Sequence, residues 1–210
     1  MSVLVVPTGS ANLASVRAAF AREGVETLLS RDADAIRDAR AVVLPGVGHF
    51  AAAMGSLRSD GLDNALRDRM LAERPSLAIC LGFQLLCTDS EEAPGVEGLG
   101  VIDGSIRRFK DDVRCPHLGW TKVSADAGCR LLEDGWGCFA HSYRLETVPD
   151  GWRGATAEHG GSFVAAVERG AVLACQLHPE LSGTWGAALL RRWLDIAGVT
   201  RGRSTTAEVA

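Results

Sequence analysis

No apolar run in this sequence approaches the roughly 20 residues a helix needs to cross a bilayer, which argues against a membrane span. Basic residues do not outnumber acidic ones (22 against 26, net charge −4) and form no cluster or stripe, so a nucleic-acid surface is disfavoured. None of the six cysteines forms a Cys-x-x-Cys, and none stands in zinc-type spacing with a histidine, so neither a metal site nor a cofactor is expected. The Gly9-Ser10 turn before Asn12 lacks both the G-x-G-x-x-G spacing and a P-loop lysine, so a phosphate cradle is not indicated. Met1-Ser-Val-Leu4 carries no charged leader and passes straight into a strand pattern. At this size no disulfide framework is needed, and reduced thiols point to the cytoplasm. Internal repeats and long linkers are also absent. One domain is expected over residues 1–198, with a flexible tail over 199–210.

The residues present alternate strand and helix through the first ninety positions. Val3–Val6, Val25–Leu29, Ala41–Leu44 and Leu77–Ile79 read as buried strands. Between them, Asn12 caps a helix with Leu13, Val16 and Phe20 on one face, Asp32 or Asp34 starts a short one, and helices follow near Phe50–Leu57 and Leu62–Glu73. Such alternation predicts an α/β fold with a mostly parallel central sheet and helices on both faces. The second half is richer in glycine and short strands. Cys138–Tyr143 and Ala171–Leu177 are strand candidates, and Gly160-Gly161 and Gly170 punctuate antiparallel additions. A helix over Gly186–Ile196, striped by Leu189, Leu190, Trp193 and Leu194, closes the fold.

Cys80 stands where an apolar run stops and a helix is predicted to begin, with small residues, Ala78 and Gly82, two positions to either side. That is the elbow arrangement, which presents a nucleophile at a sheet edge and aims the amides of the next helix at its sulfur. A free cysteine is also a common core residue, so the elbow alone does not decide. His178-Pro-Glu180 supplies what a thiol nucleophile needs, a base and an acceptor to orient it. Read as an extended segment, its His and Glu point to one side, and Pro179 stiffens the pair. An oxyanion would find donors in the Leu81 amide and in the Pro45-Gly46-Val47-Gly48 loop, which leaves the same sheet edge; that loop is equally a plain strand-to-helix turn. His141-Ser142-Tyr143, polar within an apolar run, is a further candidate; His49, His117 and His159 lie in loop-like segments.

Ile79-Cys-Leu-Gly-Phe-Gln84 together with His178-Pro-Glu180 resembles the triad of class I glutamine amidotransferases, whose fold is flavodoxin-like. Asn12-Leu-Ala-Ser-Val16, Leu44-Pro-Gly-Val-Gly48 with Ala53-Met54, Pro116-His-Leu-Gly-Trp120 and Phe139-Ala-His-Ser-Tyr143 narrow the likeness to the glutaminase subunits of imidazole glycerol phosphate synthase, over about residues 3 to 197. The resemblance implies that Cys80 attacks the side-chain amide of glutamine, His178 shuttles the proton and Glu180 orients His178. It implies that Gly46, Gly48, Gln84, His141, Ser142 and Tyr143 line the glutamine pocket or oxyanion loop. It further implies a heterodimer with a separate (β/α)8-barrel cyclase, hydrolase and lyase chemistry being combined in the pair. The cyclase would use the ammonia to make imidazole glycerol phosphate and an aminoimidazole carboxamide ribonucleotide in histidine biosynthesis. Three departures fall where that family meets its partner: Pro7-Thr-Gly-Ser-Ala-Asn12 in place of Asp-Tyr-Gly-x-Gly-Asn, Thr121 where Asn is frequent, and Leu181 where Lys or Arg is frequent. A glutaminase serving another acceptor enzyme, or a non-catalytic relative acting as a binding module, remain the alternatives.

Overall fold

The computed structural model describes residues 2–8, 12–200 and 202. Nine strands form one sheet in the order β2-β1-β3-β4-β12-β11-β10-β7-β8. Its first five are β2 (Glu26–Leu29), β1 (Ser2–Val5), β3 (Val42–Gly46), β4 (Ser76–Cys80) and β12 (Val172–Cys175), all mutually parallel. The other four, β11 (Ser162–Arg169), β10 (Arg153–Glu158), β7 (His117–Ala125) and β8 (Gly135–His141), extend it antiparallel. A small second sheet joins β5 (Asp89–Ser90), β6 (Ser105–Arg108) and β9 (Tyr143–Arg144). The expected architecture, parallel centre and antiparallel additions, is the one found.

Two apolar layers explain why the parallel strands read as unbroken hydrophobic runs rather than alternating ones. Val3 and Val5 of β1 face one layer with Val16 and Phe20 of α1 (Leu13–Arg22) and Leu189, Leu190 and Trp193 of α6 (Gly183–Ile196). Leu4 and Val6 face the other, with Ile36 of α2 (Ala33–Asp38), Met54 and Leu57 of α3 (Phe50–Ser59), and Leu66 and Met70 of α4 (Leu62–Leu71). Side-chain oxygens of Asn12 and Asp32 accept from Ser15 and Ala35 amides, capping α1 and α2 as the sequence suggests.

Several boundaries differ from the sequence reading. The helix after Cys80, α5, spans Leu81–Leu85 rather than running through Cys87. The strand candidate Cys138–Tyr143 breaks at Ser142: β8 ends at His141, and Tyr143 crosses to pair with Arg108 of β6. Gly186 lies inside α6 instead of starting it, and it packs so close to the preceding turn that a Cβ there would come 2.1 Å from the Pro179 carbonyl oxygen. His178 itself is extended, but Pro179–Leu181 form a 3-10 turn, so Glu180 reaches His178 by folding back and not by strand alternation. Gly9, Ser10 and Ala11, the centre of the first departure, lie outside the described residues, as do 201 and 203–210 of the expected tail. Val199 of that segment is buried in the core, and the Gly202 amide donates to the Gly24 carbonyl at 3.0 Å.

Candidate active site

Register brings the candidates together. Gly46 of β3 sits opposite Cys80 of β4, and Ile79 opposite Cys175 of β12, so the segment leaving β12 passes beside the sulfur. All three strands end at the same carboxyl edge, where ligand sites of open α/β sheets form.

Cys80 has φ 55° and ψ −111°, a backbone region that an L residue enters at a cost of about 1–3 kcal/mol. The elbow packs so tightly that Gly82 has no alternative: a Cβ there would lie 2.0 Å from the Leu44 carbonyl oxygen, and one at Gly46 would lie 2.9 Å from the Gly82 nitrogen. Gly82→Ala therefore has to push the start of the helix after Cys80 away from β3, and overpacking of this kind costs about 1–3 kcal/mol or more. A urea melt of that variant should show the midpoint falling accordingly; an unchanged midpoint would contradict the tight elbow.

The His178 Nδ1 stands 2.8 Å from Glu180 Oε1. Its backbone N–H donates to the Cys138 carbonyl at 2.8 Å, and its own carbonyl accepts from the Ser182 hydroxyl at 2.7 Å, which holds the His178 backbone on both sides. Burial works to lower the His178 pKa, but hydrogen bonds and charge from Cys80 and Glu180 outweigh it and hold the value up to about 10. The imidazole is thus a cation at neutral pH, poised between sulfur and carboxylate. Glu180 Oε2 is buried with no hydrogen-bond partner among the described residues, so the carboxylate engages His178 through Oε1 alone.

A cavity of about 450 Å³ opens over this group, a volume suited to a small molecule. Val47, Gly48, Leu81, Gln84, Ser142 and Tyr143 line it, as do Cys80, His141 and His178. Gly48 has φ 101°, open to glycine and strained for other residues. Gly46 is not in the lining; it packs behind, against the elbow. Sequence reasoning passed over Glu92, which lines the same cavity while its Oε2 accepts from the Phe50 amide at 2.7 Å. It also passed over Gln176, fully buried beside Cys80. A polar residue at the end of an apolar strand was the only signal for it.

His141 belongs to a hydrogen-bonded chain whose direction follows from the acceptor at its end. The Tyr143 carbonyl can only accept, so His141 Nδ1 (2.8 Å) carries the proton and its Nε2 accepts from His117 Nδ1 at 3.2 Å. His117 Nε2 then accepts from the Thr121 hydroxyl at 2.8 Å. Burial lowers the pKa of His117 to about 4 and, despite the Tyr143 carbonyl, that of His141 to about 3, so both rings are neutral at pH 7. Thr121 therefore turns its hydroxyl inward onto His117. His159 stacks on His117 with ring centroids 4.2 Å apart, and His49 caps α3 through its ring nitrogen to the Ala51 amide.

A strand-to-helix elbow bearing cysteine, with a histidine and a glutamate converging from a neighbouring parallel strand, defines a cysteine-dependent amidotransferase architecture. The family Glutamine amidotransferase class-I matches residues 8–196, and the chain belongs to it. Within it, the chain is 41% identical over 201 residues to the imidazole glycerol phosphate synthase subunit HisH of Escherichia coli (strain K12), covering 93% of this chain and all of that protein. The same subunit of Salmonella typhimurium is 40% identical over the same spans. It is a member of the HisH family. Among solved structures, one described as a glutamine amidotransferase superposes with a TM-score of 0.76 at 23% identity, covering 94% of this chain and all of that one. PurLQS from Thermotoga maritima does so at 0.72 and 17%, covering 92% and 97%, and both likenesses speak for the fold. No helix among the described residues is long and apolar enough to cross a membrane.

Proposed function

We propose that this chain is the glutaminase subunit of an imidazole glycerol phosphate synthase, hydrolysing glutamine to glutamate and ammonia for a cyclase partner. The observation that carries the reading is the convergence of Cys80, His178 and Glu180, with the imidazole held as a cation between sulfur and carboxylate. The Cys80 sulfur attacks the side-chain carbonyl carbon of glutamine, and the electron pair of the C=O bond moves to oxygen. Val47, Gly48 and Leu81 line the cavity, and we assign their backbone amides as the donors to that oxyanion. His178 gives its proton to the departing nitrogen, ammonia leaves, and a γ-glutamyl thioester remains. Water then attacks the thioester with His178 accepting its proton, and glutamate leaves as the thiolate is restored. Glu180 keeps Nδ1 protonated and the ring in place throughout. The Glu92 carboxylate in the same cavity suits the α-ammonium of glutamine.

The partner reading has its own support. Leu118, Trp120 and Leu181 are 65%, 54% and 43% exposed, and Leu118 and Leu181 line the cavity mouth, so apolar surface rims the opening. A (β/α)8-barrel cyclase seated there would receive ammonia without its passing through bulk water, and the lyase step belongs to that subunit, not to this chain. Leu181 offers contact in place of a charge, and Thr121 is engaged internally, so docking here relies on apolar burial where relatives of the resemblance carry polar groups. We place the pair in the cytoplasm, consistent with six unpaired thiols.

The test is a glutaminase assay with and without a cyclase of this pathway carrying its nucleotide. Slow hydrolysis alone and at least tenfold stimulation by the loaded cyclase are expected. Fast unstimulated turnover, or indifference to that cyclase but response to another acceptor enzyme, would reassign the acceptor. Failure of a glutamine-analogue electrophile to label Cys80 would point to a binding module.

A further inference from the structure

We propose that Gln176 is a further catalytic residue, its side-chain amide donating a hydrogen bond to the Cys80 sulfur, and that Gln84 is the positioning residue that fixes which end of that amide faces the sulfur. The inference rests on the reading of Cys80 as the nucleophile.

Gln176 Nε2 lies 3.6 Å from Cys80 Sγ, within reach of a hydrogen bond to sulfur, and Gln176 is fully buried. It is the residue after β12, and the pairing of Cys175 with Ile79 puts it level with Cys80 on the neighbouring strand. A wholly buried carboxamide at the end of an apolar strand costs stability unless its polar atoms are satisfied, so an apolar residue would be the simpler filling. Here both ends are used. The Oε1 accepts from Gln84 Nε2 at 2.9 Å, and the backbone N–H donates to the Ala165 carbonyl at 2.9 Å.

The orientation of the amide follows from the backbone. Gln84 Nε2 also donates to the Tyr143 carbonyl at 3.2 Å, and a carbonyl cannot donate in return. That contact assigns the nitrogen end of Gln84, which in turn assigns the oxygen end of Gln176 and leaves its N–H groups for the sulfur. The same Tyr143 carbonyl accepts from His141, so one backbone oxygen anchors the histidine chain and the glutamine relay. Hydrogen bonds to the charged form of a nucleophile favour that form, and a second donor besides His178 steadies the sulfur when the histidine gives up its proton. Gln84 thus has a task besides lining the cavity.

Alkylation of Cys80 by iodoacetamide reads the thiolate directly, without glutamine, by peptide mass mapping across the neutral pH range. The titratable groups around the sulfur, His178 with Glu180 behind it, Cys138 on β8, and His141, Tyr143 and Glu92 in the cavity wall, are unchanged in the variants used. Gln176→Met keeps the volume and removes the donor; it should alkylate at least about tenfold more slowly at neutral pH, with its profile displaced to the alkaline side. Gln84→Leu should move the profile the same way by less, and Gln176→Glu should slow alkylation most. Wild-type rates and an unmoved profile in a folded Gln176→Met overturn the assignment. If that variant does not fold, the unmutated chain decides: the Gln176 side-chain amide protons should shift in NMR when Cys80 is alkylated, and stationary resonances overturn it. A Cys80 no more reactive than the other five cysteines sinks the nucleophile reading and this inference with it. A reactive Cys80 indifferent to Gln176 sinks the inference alone.

Discussion

Cys80→Ala and Cys80→Gly are both expected to abolish glutamine hydrolysis, by about 10⁶-fold, the scale on which deleting a triad nucleophile acts. The two variants should nevertheless differ in stability, and in an unusual direction. At an ordinary buried position glycine melts below alanine, because the unfolded chain gains freedom. At φ 55° and ψ −111° the alanine Cβ keeps the strain that the cysteine Cβ imposes, whereas glycine adopts this conformation without it. Relief of about 1–3 kcal/mol exceeds the entropic cost of about 0.5–1 kcal/mol, so Cys80→Gly should melt higher than Cys80→Ala. For a chain of this length each kcal/mol corresponds to about 2–4 °C in Tm. Residual turnover in either variant would remove Cys80 from the chemistry. A glycine variant melting below the alanine variant would show that the elbow stores no strain. The stability order is informative because it ties the reactive position to a backbone that the fold holds against local preference.

That elbow was legible in the sequence because its constraint is local. The spacing calls for small residues two positions to either side of the nucleophile, Ala78 and Gly82 supply them, and in the structure the Leu44 carbonyl stands against Gly82. The parallel strands were legible for a different reason: layers on both faces leave β1, β3 and β4 apolar throughout. What stayed hidden depends on register between distant segments. Gln176 meets Cys80 across 96 positions of sequence, and a lone polar residue closing the run Ala171–Cys175 does not say which distant side chain it faces. His117 meets His141 because β7 and β8 pair those two residues directly, a matter of hairpin register that loop-like composition around Pro116 obscured. The break at Ser142 was invisible for the same cause: Tyr143 leaves β8 because β6 offers it a partner, and β6 lies more than thirty residues earlier. The His-Pro-Glu triplet is an instructive middle case. Its residues were singled out by chemistry, while the assumed extended geometry was wrong; Pro179 opens a 3-10 turn, for which its fixed φ is well suited.

Glu180→Gln is expected to lower glutaminase turnover by about 10⁴-fold, the loss that follows when an orienting carboxylate becomes an amide. The structure gives two reasons, depending on how the amide settles. With its oxygen toward His178 Nδ1, the tautomer survives, but the NH2 group enters the position of Oε2, which is buried and makes no hydrogen bond among the described residues. An unsatisfied buried donor costs about 1–3 kcal/mol, and the negative charge is lost as well. With the NH2 toward Nδ1, the imidazole must place its proton on Nε2 and can no longer take one from the sulfur or from water. Either way the cation on His178 loses a principal support. The pKa of about 10 is held up by Cys80 and Glu180 against burial, so removing the carboxylate charge lowers it. Because protonated His178 is the donor to departing ammonia, the alkaline limb of the rate profile should move toward neutrality in the variant. Stability should follow the same sign. A raised histidine pKa contributes stability in full below about pH 6.5, and that contribution fades as pH climbs through about 10. The variant should therefore fall short of the parent most at the low end of that window, and the gap should close toward its alkaline end. Paired pH-rate and pH-melting profiles measure both limbs. Wild-type rates, or an alkaline limb that stays in place, would mean that Glu180 neither orients nor charges the ring, and that the 2.8 Å contact is only packing.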